Sequence, residues 1–258
     1  MDNLRLEIQT RKLSAPELAA LAFEVYRKRF GHLALAGFAV FIPIAVFSLL
    51  AALNLIRTNP LDYITVTADG QVVIGGISGF LRSFLSMIGI NAIFSPLFVA
   101  AVTYAARRHV EETACALPGL IDASLSKWGK LVFTAIIYYV ITALAAFMII
   151  PGVYFAVAAS FYPNVIADGD PWGFKAFRDS MVLVRGRWFR TFGFLAVVDI
   201  ASAFVTAFVQ WVIISLLSAL GPASVFFESL AANFAGMYFT VIIALWYINR
   251  RYIGRRRD

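Results

Sequence analysis

The chain has 258 residues, of which 61% are hydrophobic and only 14% charged. A water-soluble domain carries about a quarter charged residues, so polar side chains cannot cover this one and lipid must. The net charge is +7, with one cysteine, Cys115, and two histidines, His32 and His109; this excludes an internal disulfide and leaves too few ligands for a cysteine or multi-histidine metal centre.

The expected class is an all-α integral membrane protein, one domain over 1–258. Residues 1–13 read as a cytoplasmic tail. The first 30 residues hold Arg5, Glu7, Arg11, Lys12, Glu17 and Glu24 with no early apolar run, so a secretory leader is not expected there. Ser14 and Glu17 have the spacing of a capping box. Leu18, Leu21, Ala22 and Val25 then form an apolar stripe, with Glu24 and Lys28 as an i,i+4 pair on the polar side. This predicts an amphipathic interfacial helix over 14–30, followed by a first span over about 33–55.

A span needs about 20 apolar residues. Val73–Ala106 is 34 residues long, about 51 Å as one helix and too long for one crossing. Gly75, Gly76 and Gly79 predict a break, giving a short outer helix around 76–86 and a second span from about Ser86. Pro96 is a candidate kink.

A second interfacial helix is expected over 117–126, a third span over 129–150 and a short fourth span over 152–167, joined by an outer turn at Pro151-Gly152. The third interfacial helix is expected over 171–185, with Asp170 as N-cap and Pro171 at the first helical position. Phe174, Phe177, Met181 and Val184 form its stripe. The fifth span covers 189–218, the sixth 223–249, with an outer turn at Gly221-Pro222. A basic tail, 251–258, closes the chain.

In this six-span layout, 20 of the 22 Lys and Arg residues fall on one side. Only Arg57 and Arg82 do not. Both termini are therefore expected in the cytoplasm, with Trp128, Trp188, Trp246 and Tyr247 in an inner aromatic belt. Arg29-Phe30-Gly31-His32, Lys127-Trp128-Gly129-Lys130 and Arg187-Trp188-Phe189-Arg190 share a pattern of basic, aromatic, any, basic. They suggest three copies of one helix–span–span unit, over 14–106, 116–167 and 171–250. Repeats of this kind often enclose a site; a basic residue beside an aromatic anchor is also what any cytoplasmic junction acquires.

Three residue groups are candidate sites. Asp199 lies 11 residues beyond Trp188, about 16 Å into the membrane, where a carboxylate is costly. Tyr139, Ser95 and Thr240 fall near the same depth. The four form an expected intramembrane polar cluster, either a proton or ligand site or a structural interhelical bond. Gln210 and Glu228 fall at one height in the outer half, within reach of Arg82. Arg29, Lys127, Lys130, Arg187 and Arg190 would anchor anionic head groups. No cofactor is expected. No G-x-S-x-G, H-E-x-x-H or P-loop is present, so no catalytic or metal-binding residue is expected, and no nucleic-acid motif is present.

Residues 150–190 read I-P-G-V-Y, then A-D-G-D-P-W-G-F-K-A-F-R-D-S-M-V-L-V-R-G-R-W-F-R, and Leu245–Arg251 reads L-W-Y-I-N-R-R. This resembles the membrane domain attached to some bacterial glycerophosphoryl diester phosphodiesterases, and related six-span proteins. The matching positions are Pro151, Gly169, Ala176, Ser180, Leu183 and Gly186. Asp179 and Met181 depart from the pattern, standing where a basic residue and a tryptophan are common. The resemblance implies a six-span fold in a bacterial inner membrane. The phosphodiesterase's catalytic acids and metal ligands belong to a soluble domain not contained in these residues, so its activity is not carried over. The functional expectation is a non-catalytic membrane protein that binds lipid or an amphipathic small molecule, in a transport, regulatory or scaffolding role, with a protein partner or a second copy as company. A proton-coupled carrier using Asp199 and an intramembrane enzyme of lipid metabolism are the alternatives.

Overall fold

The computed structural model describes residues 2–53, 64–66, 72–74, 77–146 and 148–255, with side chains described over 6–53, 89–145 and 148–254. A short helix α1 (Asp2–Thr10) precedes the long α2 (Ala15–Ala52). A two-stranded antiparallel ribbon follows, β1 (Ile64–Val66) and β2 (Val72–Ile74), with Thr65 opposite Val73. Then come α3 (Ile77–Val110), α4 (Leu117–Leu125), α5 (Trp128–Ala146), α6 (Ile149–Ala159) and α7 (Tyr162–Asp168). The chain closes with α8 (Phe174–Val184), α9 (Trp188–Leu217), a 3-10 turn over Ser218–Ala223 and α10 (Ser224–Arg255).

Among the described residues, five helical stretches are long and apolar enough to cross a membrane: Ala15–Ala52, Gly89–Val110, Trp128–Ala145, Ile149–Asp168 and Trp188–Gly254. The last has 67 residues, about 100 Å if straight. It is not straight. Gly221 has φ +56° and ψ −133°, a conformation only glycine enters without strain, and α10 returns along α9. Apolar residues of α9 are exposed around much of its circumference, including Phe204, Phe208, Trp211 and Leu216. A helix apolar all round belongs in an apolar medium, and lipid supplies it.

The core is built around α10, which packs on α2, α9, α3 and α1. Its side chains Met237, Val241, Leu245 and Tyr247 are almost fully buried, as are Leu18, Leu21 and Val25 of α2 and Phe161 between α6 and α7.

Several expected boundaries move. The first interfacial helix and first span are one helix, because nothing in 28–34 stops it; Gly31 alone does not. The cap is in place, with the Ser14 N–H donating to the Glu17 carboxylate at 2.7 Å. Glu24 does pair with Lys28 at 2.9 Å, but Glu24 is buried, 3.5 Å from the His109 ring, and not on a solvated face. Residues 1–13 are not a loose tail either, since α1 docks on α10, and α10 itself runs through Arg251 into the expected basic tail. The break near Ser86 is absent: α3 is continuous from Ile77, with Pro96 inside it. Pro151 lies in the first turn of α6 rather than in the preceding turn, where it gives up no helical hydrogen bond.

The third interfacial helix also starts late. Its N-cap is Gly173, at φ +59°, and not Asp170. The Asp170 carboxylate is taken by Lys130, whose Nζ lies 2.6 Å away. The buried face of α8 is Ala176, Phe177, Ser180 and Val184, while Phe174 is exposed. Helix, long helix and returning chain follow in that order over 116–167 and 171–250; over 14–106 the first two are fused.

Candidate functional site

A cluster of charged side chains gathers where α10 ends. Asn249 sets the position. Its Nδ2 donates to the Ile8 and Arg11 carbonyls at 2.7 and 2.8 Å, and its Oδ1 accepts from the Leu13 N–H at 3.2 Å. One buried amide thus ties the segment around α1 to the last turns of α10.

One face of those turns enters a charged clamp. Asp168, at the end of α7, has a side chain only 6% exposed. It pairs with Arg107 of α3 and with Arg251 of α10, whose Nε is 2.5 Å away. The Tyr247 hydroxyl donates to Asp168 at 3.3 Å and accepts from Arg251 at 2.5 Å. Arg107 also pairs with Glu111 at 2.8 Å, and the Tyr252 hydroxyl donates to Glu111 at 3.1 Å. Burial alone would raise the Glu111 carboxyl, but the Arg107 hydrogen bond and charge hold it below its ordinary value. In this clamp two arginines meet two carboxylates, so its charge closes.

The next face does not close. Beside the clamp lies a cavity of about 480 Å³, with Arg185, Arg187, Arg250 and Arg251 among its walls, together with Asp179, Val182 and Leu183. Arg250 is 9% exposed. Its guanidinium sits over the Trp246 ring, 4.9 Å from the centroid. Trp246 in turn stacks with Phe161 and with Phe194, with centroids 4.7 and 5.5 Å away. The Arg250 Nη1 is buried and has no hydrogen-bond partner. Arg187 and Arg190 add like charge nearby. Among the described residues no carboxylate pairs with Arg185, Arg187, Arg190 or Arg250. A buried guanidinium without a counter-charge is costly, and planar guanidiniums suit carboxylate or phosphate oxygens. The arrangement is an anion site in its chemistry.

The five expected head-group anchors separate here. Lys127 donates to the Ile166 and Ala167 carbonyls at 3.0 and 2.9 Å, stitching α7 at its C-terminal end. Burial pushes its ammonium below the ordinary lysine value, against the pull of Asp170 and Asp168. Lys130 is held by Asp170, whose carboxyl it keeps low. Arg29 donates to the Thr113 carbonyl at 3.2 Å. Its Nε is buried without a partner, and among the described residues Arg187 and Arg190 have neither a side-chain hydrogen bond nor an ion pair. Arg250, Arg185 and the Asp168 clamp were not singled out in the sequence; the one available signal was an acid, Asp168, at the end of a span on the basic side.

The expected intramembrane cluster divides as well. A second cavity, of about 460 Å³, brings Ser95, Thr240 and Gln210 together with Ser202, Thr206 and Asn233. Asp199 continues the Ser202, Thr206, Gln210 stripe toward the basic end but does not line the cavity. It is exposed on α9, its carboxylate within electrostatic range of the Tyr138 hydroxyl. Tyr139 packs beside Tyr138, with ring centroids 5.6 Å apart. Gln210 and Glu228 share no hydrogen bond, and the Arg82 side chain lies outside the described residues. Among the described residues no group of three or more His, Cys, Asp or Glu is placed to hold a metal.

Comparisons of the chain with protein-family models, with curated proteins and with solved structures gave no match.

Proposed function

We propose that this is a non-catalytic membrane protein that holds an anionic head group in the arginine-lined cavity at the basic end of its bundle. The observation that carries the reading is Arg250, a guanidinium 9% exposed and without a carboxylate among the described residues, in the wall of a cavity that Arg185 and Arg187 also line. Around it the neutral Asp168 clamp and the Asn249 ties hold α3, α7, α10 and the N-terminal segment in place. The site is therefore rigid, and α10 presents Arg250 without reorganisation. The apolar walls Val182 and Leu183 suit a ligand whose head is charged and whose remainder is not.

The same proposal includes the topology. With α9 and α10 as separate crossings the chain crosses six times, and the basic bias sets both termini in the cytoplasm of a bacterial cell. The motif resemblance to the membrane domain of glycerophosphoryl diester phosphodiesterases belongs here too, as a resemblance of fold rather than activity. A transport, regulatory or scaffolding role, alone or with a partner chain, fits a module that binds without reacting.

Native mass spectrometry of the full chain, extracted gently from its own membrane, tests the reading. Retention of an anionic lipid or metabolite at fixed stoichiometry, lost in Arg250→Gln and kept in the exposed-surface variant Lys175→Gln, is the expected result. A bare protein, or retention that Arg250→Gln leaves unchanged, overturns it.

A second reading, a carrier, is favoured by one observation: the polar cavity between α3, α9 and α10. Six uncharged hydrogen-bonding side chains line it in a region where lipid offers none. In this reading Asp199 stands beside the cavity, not in it.

A further inference from the structure

Resting on the head-group reading above, we infer that the arginine cavity selects a doubly charged phosphate, a phosphomonoester or pyrophosphate group, over a singly charged phosphodiester.

The inference follows from which charges are already matched. Arg107 and Arg251 are absorbed by Asp168 and Glu111 in the clamp. Arg251 lines the cavity but has its counter-charge. Arg185, Arg187, Arg190 and Arg250 have none among the described residues, and the one carboxylate at the cavity wall is Asp179. Of these, Arg185, Arg187 and Arg250 line the cavity, so against Asp179 two positive charges remain in excess there, with Arg190 outside the wall. A phosphodiester offers a single negative charge and two unesterified oxygens. A phosphomonoester offers about −1.5 to −2 at pH 7 and three oxygens, and a pyrophosphate offers more of both. The larger charge and the extra oxygen are what the three unmatched guanidiniums of the cavity wall can use.

Arg250 gives the preference its depth. An exposed arginine satisfies its N–H groups with water and gains little from an added charge. Arg250 is held over Trp246 by the cation–π contact and by the Phe161 and Phe194 stack, with Nη1 shut away from solvent. It cannot swing out to water without leaving that stack. Arg250 is thus the deep, fixed member of the cavity wall, presenting the edge of its guanidinium that remains accessible, while Arg187 and Arg185 stand nearer the rim. Asp179, which has no partner among the described residues, opposes the ligand's charge; removing it raises the excess.

The test uses the full chain in nanodiscs of phosphatidylcholine containing a small equal fraction of phosphatidic acid and phosphatidylglycerol with the same acyl chains, read by native mass spectrometry. Phosphatidic acid is expected to be retained over phosphatidylglycerol by about tenfold, the order of one added charge-assisted hydrogen bond. The preference should collapse in Arg250→Gln, grow in Asp179→Asn, and shrink from pH 7.5 to pH 5, where the monoester loses its second charge (second pKa about 6) while arginine does not titrate. Because Arg250→Gln removes a buried contact, Arg185→Gln at the exposed rim is the companion variant and should reduce the preference without altering thermal stability.

A second arm adds inorganic pyrophosphate to protein in pure phosphatidylcholine. Binding that depends on Arg250 identifies a soluble phosphate as sufficient; binding of phosphatidic acid alone identifies the lipid as the source. Equal retention of the two lipids, both lost in Arg250→Gln, overturns the selectivity and leaves the head-group reading standing. If neither anionic lipid nor pyrophosphate is held, both fall together.

Discussion

At the scale of single residues, Asp168 and Arg250 are opposite outcomes of the same chemistry. Asp168 is a buried carboxylate with three donors around it; Arg250 is a buried cation with an aromatic ring and no counter-charge. Replacing Asp168 leaves Arg251 without a carboxylate and Arg107 with Glu111 alone. Removing one partner of a fully buried pair costs about 3–5 kcal/mol, but both arginines are about a third exposed. Asp168→Asn is accordingly expected to cost about 2 kcal/mol, read as a fall in Tm in detergent; no change in Tm would mean that the clamp carries no stability. Glu111 gives the pH dependence its sign. Its folded value is held below the ordinary 4.5, so its contribution is complete above that value and is lost as pH falls through the folded one. Melting curves should stay flat in this respect from pH 7 to 5 and fall below about 4.5, a fall that Glu111→Gln should weaken. Cys115 is buried, and burial raises its thiol; slow reaction with a maleimide in the folded protein is the expected consequence.

Elements were legible where a local signal was strong. The Ser14–Glu17 box, the Leu117–Leu125 helix and the Gly221-Pro222 turn stand where the residues put them. The failures share a cause. Gly79 lies inside α3, as Gly31 lies inside α2, without stopping the helix, since a lone glycine weakens a helix by only about 1 kcal/mol, which packing on α10 and the apolar medium can override; Gly75 and Gly76, on which the expected break also rested, lie outside the described residues. Asp170 was read as an N-cap on local grounds, but Lys130, 40 positions away, offered it an ion pair. At Gly221 the backbone conformation leaves no such latitude: Gly221→Ala should cost about 1–2 kcal/mol, seen as a lower Tm with head-group retention unchanged. Asn249→Leu should release the segment around α1, which limited proteolysis near residues 11–14 would detect; unchanged protection would mean that apolar docking of Ile8 suffices.

At the scale of the whole molecule, the topology and the polar cavity make separate predictions. In a Cys115→Ser background, cysteines placed at Ser126 and Gly186 should react with an impermeant reagent only after the cells are opened, and one at Leu220 should react in intact cells. Any other pattern rejects the six-crossing arrangement. Thr206→Cys inside the polar cavity should react with a hydrophilic thiol reagent faster than Phe208→Cys on the exposed face of α9; equal rates would show the cavity to be closed to water, and the carrier reading would fail.

Composition by itself determined that this chain lives in lipid, because too few polar side chains exist to cover its surface. Apolar run length and the sidedness of Lys and Arg likewise set the number and sense of the long helices to be expected, since both depend on bilayer thickness and charge rather than on contacts. Which arginines are spent and which are left over was decided only in three dimensions. Arg107 meets Asp168 across 61 positions, and Asn249 meets Ile8 across 241. Hydrogen bonds and ion pairs act over a few ångströms, so the uncommitted charge that marks the cavity exists only once helices distant in sequence have packed.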